Sequence, residues 1–154
     1  MREPSFDFSY SLGYLTTVSA RLFSATLNRR LADAGLDLTS EQWAMLRVLL
    51  NEDGRNQEAL LKITRHEKSS LSRILGGMEK RGLVRREKSR SDGRRKHVFI
   101  TEKGAAQGAA GTRMALDVLA AIYRGIEEKD LDICRSVLAR LQEGLLRIQR
   151  EEEA

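Results

Sequence analysis

Lys68, Ser69, Ser70, Ser72 and Arg73 stand in close order and carry the side chains in this chain best suited to recognising a partner. Short hydroxyls and a forked guanidinium are the groups that reach base edges and phosphates in a duplex groove. An arginine reading O6 and N7 of guanine supplies roughly 1–3 kcal/mol of discrimination. Just downstream lie Lys80, Arg81, Arg85, Arg86, Lys88, Arg90, Arg94, Arg95 and Lys96, opposed only by Glu87 and Asp92. Charge focused in this way is the footprint of a phosphate-binding surface. A solvated surface hairpin would also be charged, and the serine–arginine stretch beside it is what favours nucleic acid.

Other chemistry finds little material. One cysteine, Cys134, rules out an intrachain disulfide and any multi-cysteine zinc site, and His66 and His97 are too few to hold a metal without carboxylate help. No paired carboxylates, nucleophile elbow or phosphate-cradling glycine loop is present, so neither an enzyme nor a cofactor is expected. A redox-sensing thiol needs exposure and a lowered pKa. Cys134 falls between Leu131 and Leu138 in an apolar stripe, which favours a buried structural thiol over a sensor.

The elements that must position these groups follow from periodicity. Phe8, Leu12, Leu15, Leu22, Leu27 and Leu31 recur at helical spacing and predict a long first helix stopping near Gly35. Thr39-Ser40-Glu41-Gln42 has the capping-box pattern and opens a second helix with Trp43, Leu46, Leu49 and Leu50 inward. Asn56 caps a short third helix to about Thr64. A fourth runs from about Glu67 to Arg81, with Leu71, Ile74, Leu75 and Met78 as its apolar face and Gly82 as its stop. The serine–arginine stretch lies on the other side of that helix.

The period then changes. Leu83 to Arg86 and Lys96 to Ile100 read as two strands of a hairpin joined by the charged loop Glu87 to Arg95. A fifth helix starts at Thr101 with small residues (Ala105, Ala106, Ala109, Ala110) and gains bulk at Met114, Leu116, Leu119 and Ile122. A last helix carries Leu131, Cys134, Leu138, Leu141, Leu145 and Ile148 as a narrow seam. Gly76-Gly77 falls inside the fourth helix at about 1 kcal/mol per glycine relative to alanine, and close packing against a neighbouring helix is the expected reason.

The fold class is therefore mainly α with a small β-hairpin wing: a winged helix-turn-helix lobe over residues 39–101, with helical regions at 6–35 and 104–150. These helices lack a layer within one chain wide enough to cover their stripes, and exposed apolar surface costs about 25 cal/mol per Å². Interlocking in a homodimer, as a helical dimerisation region, is the expected solution. With 154 residues, 41% of them apolar, the chain suits one domain. No apolar run approaches the roughly 20 residues that span a bilayer, so no membrane partner and a cytoplasmic location are expected.

In order and spacing, Leu38-Thr39-Ser40-Glu41-Gln42-Trp43, Lys68-Ser69-Ser70-Leu71-Ser72-Arg73, Met78-Glu79-Lys80-Arg81-Gly82-Leu83-Val84, Arg90-Ser91-Asp92-Gly93-Arg94 and Ile100-Thr101-Glu102-Lys103-Gly104 together resemble the MarR family of winged helix-turn-helix transcriptional regulators. The resemblance runs from about Tyr10 to Gln149, so that residues 1–154 make one MarR-like domain. It implies that Ser69, Ser70, Ser72 and Arg73 face the major groove, that Arg94 enters the minor groove, and that Asp92 braces Arg94. It also implies a small-molecule cleft, for which helical facing selects Ser19, Phe23, Trp43, Arg47 and Met114, although core packing suits each of them as well. Leu61, Thr64, Arg65 and His66 depart from the small or apolar residues usual in the family's turn before the recognition helix.

Function follows as an expectation: a sequence-specific regulator of transcription, a repressor rather than an activator, binding double-stranded DNA as a homodimer on a pseudo-palindromic operator. Lys68, Ser69, Ser70, Ser72, Arg73, Arg90, Asp92, Arg94 and Arg95 form its DNA-contact set, and a small aromatic or phenolic effector would release it. The rivals are an RNA-binding winged-helix module and a helical interaction protein whose basic hairpin binds an acidic partner. RNA recognition leans on aromatic stacking, and the only hairpin aromatic, Phe99, sits in an apolar run.

Overall fold

The computed structural model describes residues 7–88 and 96–153. They form a short 3₁₀ turn (Phe8–Tyr10), α1 (Leu12–Asp33), α2 (Ser40–Asn51), β1 (Arg55–Asn56), α3 (Gln57–Thr64), α4 (Lys68–Lys80), β2 (Val84–Lys88), β3 (Lys96–Ile100), α5 (Glu102–Ile122) and α6 (Glu128–Glu152). One compact unit extends through Val118 and a second begins at Leu119.

Local chemistry accounts for most boundaries. Ser11 caps α1 by accepting from Tyr14 N, which separates the 3₁₀ turn from the helix that the apolar spacing predicted as continuous. At its other end Gly35 (φ 70°) donates to Ala32 O and Leu36 N to Leu31 O, the paired bonds of a Schellman stop. The same pair ends α4: Gly82 (φ 67°) donates to Glu79 O and Leu83 N to Met78 O. The Thr39–Gln42 capping box forms reciprocally, and Asn56 Oδ1 accepts from Ala59 N at 2.8 Å. Arg65 then turns the chain in the left-handed region (φ 56°), donating its N–H to Leu61 O.

The core of the first unit is one cluster. Leu27 and Leu31 of α1, Met45, Leu46 and Leu49 of α2, Leu60 of α3, and Leu71, Ile74, Leu75 and Met78 of α4 meet Leu83, Val84 and Val98 of the sheet. Full burial stabilises each such side chain by about 1.5–3 kcal/mol. The stripe predicted for α4 is therefore the buried one. In α2, Met45 is buried, whereas Trp43 and Leu50 are partly so. The sheet has three antiparallel strands in the order β1-β3-β2, with Val84 opposite Ile100, Arg86 opposite Val98 and Arg55 opposite Val98. The sequence pattern showed only the hairpin, because a two-residue strand has no period.

The small residues of α5 that enter the core are Gly104, Gly108 and Gly111, buried with Ala115 and Val118, whereas Ala106 and Ala109 are exposed. Two expectations are corrected. The Gly76-Gly77 pair makes no close packing contact among the described residues: there a Cβ at Gly76 meets nothing within 4 Å, and one at Gly77 meets Gln42 Nε2 of α2 at an ordinary 3.7 Å. In the second unit no residue of α6 is buried, and Cys134 is exposed rather than enclosed. The physical reason is that an amphipathic helix buries its stripe only where another layer meets it. Ile133, Leu145 and Ile148 are all more than half exposed.

Candidate nucleic-acid interface

Burying Leu71, Ile74, Leu75 and Met78 turns the other side of α4 outward. Lys68, Ser69, Ser72 and Arg73 are exposed there, and Ser70 is half-buried at the edge. Four of the five predicted recognition residues thus share an accessible face. No carboxylate occupies the first turn of α4, and Glu67 at its N-cap makes no capping bond, so the positive end of the helix dipole, beside Lys68, has no side-chain cap.

The hairpin and the helix form one surface. Lys68, from the start of α4, and Lys96, from β3, line the same cleft of about 370 Å³, together with Gln57 and the apolar Leu61 and Leu71. A second link ties the far end of α4 to β2. Glu79 accepts from the Arg86 backbone N–H at 3.2 Å and from Arg86 Nε at 2.9 Å, and also pairs with Arg86 Nη2. The Arg86 guanidinium, hydrogen-bonded and positively charged, holds the Glu79 carboxyl below the usual glutamate range despite partial burial.

Not all of the cationic run is available to a partner. Arg81 pairs with Asp37 at 2.8 Å and donates to Gln42 Oε1, so it braces the end of α4 against the start of α2. Arg85 pairs with Glu87 and lies over the Phe99 ring, 4.5 Å from its centroid. With Arg86 held by Glu79, three of the arginines serve the lobe's own architecture. Lys80, Lys88 and Lys96 remain exposed. Arg90, Asp92, Arg94 and Arg95 lie outside the described residues.

Sequence reasoning missed Gln57 as a surface group and the Glu79–Arg86 and Gln42–Arg81 contacts. The first of these pairs is seven residues apart across a helix stop and the second 39 apart, so no periodicity marks either.

The residues proposed for an effector cleft divide. Phe23, Trp43 and Met114 pack against the core, and Trp43 Nε1 donates to Thr112 Oγ1 at 3.3 Å. Arg47 donates to Asn51 Oδ1, and Ser19 is exposed. Among the described residues no group of three or more His, Cys, Asp or Glu could hold a metal ion, and no helix is long and apolar enough to cross a membrane.

Residues 36–95 match the family model described as MarR family. The chain is 41% identical over 68 residues to transcriptional regulator HosA of Escherichia coli O127:H6 (strain E2348/69 / EPEC), a match covering 44% of this chain. The chain spans about half the length (50%) of that relative. Among solved structures, that of MarR superposes with a TM-score of 0.77 at 23% identity, covering 96% of this chain and 99% of that one. The repressor CouR, bound to a 23-mer DNA duplex, superposes at 0.78 with 23% identity, covering 92% and 99%. In sequence, residues 36–95 of this chain are thus similar to the MarR family, and along most of its length the chain shares the fold of MarR.

Proposed function

We propose that this protein is a sequence-specific regulator of transcription that binds duplex DNA as a homodimer and acts as a repressor. One observation carries the proposal: the exposed face of α4 presents Lys68, Ser69, Ser72 and Arg73, while the opposite face anchors the helix in the core. A rigidly seated helix with hydroxyls and a guanidinium outward is what a major groove accepts. The structurally similar CouR and MepR are both named in complex with DNA, which supports the same use here.

In this proposal two copies of α4 enter successive major grooves roughly 34–36 Å apart. Arg90, Arg94 and Arg95 reach the flanking backbone and minor groove, with Asp92 bracing Arg94. The exposed apolar residues of α1 (Leu12, Leu15, Leu22) and of α6 (Ile133, Val137, Leu141, Leu145) supply the surface for a second copy. Cys134 would then be covered by association and have no sensing role. An effector, bound among Ser19, Phe23, Trp43, Arg47 and Met114, would release the protein from DNA. Similar folds are named as holding a natural ligand (PcaV) and p-coumaroyl-CoA (CouR), which supports screening small aromatic and phenolic molecules. A cytoplasmic location and the absence of enzymatic activity belong to the same proposal.

The test is selection from a random duplex library, with sedimentation of the free and bound protein. A two-fold symmetric motif bound by two chains is the expected result. Enrichment of no motif, or a monomer that prefers structured RNA or an acidic protein, sinks the proposal.

A further inference from the structure

Gly76 stands out among the residues of α4. A glycine inside a helix costs about 1 kcal/mol relative to alanine, and proteins keep one there when a Cβ would collide. Among the described residues a Cβ at Gly76 would collide with nothing: none of their heavy atoms lies within 4 Å of that position. Its φ is not positive, so backbone conformation does not require glycine either. No packing contact among the described residues explains the residue.

Its direction does. Leu71, Ile74, Leu75 and Met78 are buried, and they follow the i, i+3, i+4, i+7 rule. Ser69, Ser72, Arg73 and Gly76 follow the same rule two residues earlier, so Gly76 continues the outward face that carries the recognition side chains. An α-helix with side chains is about 10–12 Å across, and the major groove of B-DNA is about 12 Å wide. The fit has no slack, so the bulk on the inserted face sets how deep the helix can go. Gly77, one residue on, turns toward α2, where its added Cβ would meet Gln42 at 3.7 Å.

We infer that Gly76 is a depth-setting residue of the recognition helix. Its missing side chain lets the α4 backbone approach the DNA closely enough for Ser69, Ser72 and Arg73 to reach base edges, and helix stability is given up for that approach. The inference rests on the DNA-binding function proposed above and adds to it a specificity-determining position.

The experiment compares Gly76→Ala with Gly77→Ala on the duplex that the wild-type protein enriches from a random library. Both substitutions add the same methyl to the same helix, so both should raise the unfolding temperature, by about 2–4 °C in a chain of this size. Only Gly76→Ala should weaken binding, by about tenfold on the selected duplex, with little change on random duplex, where the charged groups dominate. Stability and specific affinity therefore move in opposite directions at Gly76, which a purely structural glycine would not produce. Equal affinities of the two variants overturn the inference, as does a Gly76→Ala protein that is less stable than wild type or fails to fold. If the wild-type protein enriches no duplex, the DNA-binding function itself falls, and with it the role of Gly76.

Discussion

Gly111 of α5 lies against the Trp43 indole of α2, so closely that a Cβ at this glycine would stand 2.7 Å from Trp43 Cδ1. The contact seats the beginning of α5 on the winged-helix lobe. It is repeated one and two turns earlier, where Gly108 faces Leu46 and Gly104 faces the Leu83 carbonyl. The glycines at 104, 108 and 111 thus form a groove in α5 that α2 and the chain entering β2 fill.

Gly111→Ala should therefore destabilise the protein by about 1–3 kcal/mol, the usual cost of overpacking a closed site. Gly104→Ala should cost more, because the atom its methyl would strike is a backbone carbonyl oxygen and cannot swing aside as a side chain can. Thermal unfolding of both variants checks the order. A Gly104→Ala protein as stable as wild type would show that α5 does not sit this close.

Arg73→Ala should remove sequence discrimination as well as affinity. The expected loss is about 1–3 kcal/mol at one base-pair position, read by comparing single-base variants of the selected duplex. Uniform weakening on every duplex would make Arg73 a phosphate contact instead.

Arg94→Ala should flatten the salt dependence of DNA binding. Each chain would neutralise one phosphate fewer and the dimer two fewer, a change of about 1.8 in the slope of log K against log salt. An unchanged slope removes Arg94 from the interface.

The Glu79–Arg86 pair should give stability a specific acid limb. Because the Glu79 pKa is lowered in the folded protein, its contribution is complete above the ordinary glutamate value near 4.5 and is lost as pH falls through the lowered value. Both partners are partly exposed, so the effect falls in the range of a surface ion pair, about 0.2–1 kcal/mol. Glu79→Gln should be less stable than wild type at neutral pH, and the two should converge in acid. A gap that persists at pH 3 would assign the role of Glu79 to packing.

Much of this fold is legible in the order of residues. Thr39 and Gln42, Asn56, and the glycines at 35 and 82 act within a few residues of themselves, so their caps and stops can be read locally. The α4 stripe of Leu71, Ile74, Leu75 and Met78 obeys a period, and once its inner face is known, so is the outward position of Ser69, Ser72 and Arg73. Pairings without a local signature cannot be read in this way. The engagement of Arg81 and Arg86 within the lobe, the placement of Arg85 over Phe99, the shared cleft of Lys68 and Lys96, and the fit of Gly111 to Trp43 all join residues whose separation along the chain says nothing of their distance in space. Charge counting treats every cation of residues 80–96 as free for a partner, and only tertiary pairing shows which of the described arginines are engaged within the lobe. Gly76 and Gly111 look alike as letters, yet one faces open space and the other an indole ring, a difference that arises only when the helices pack.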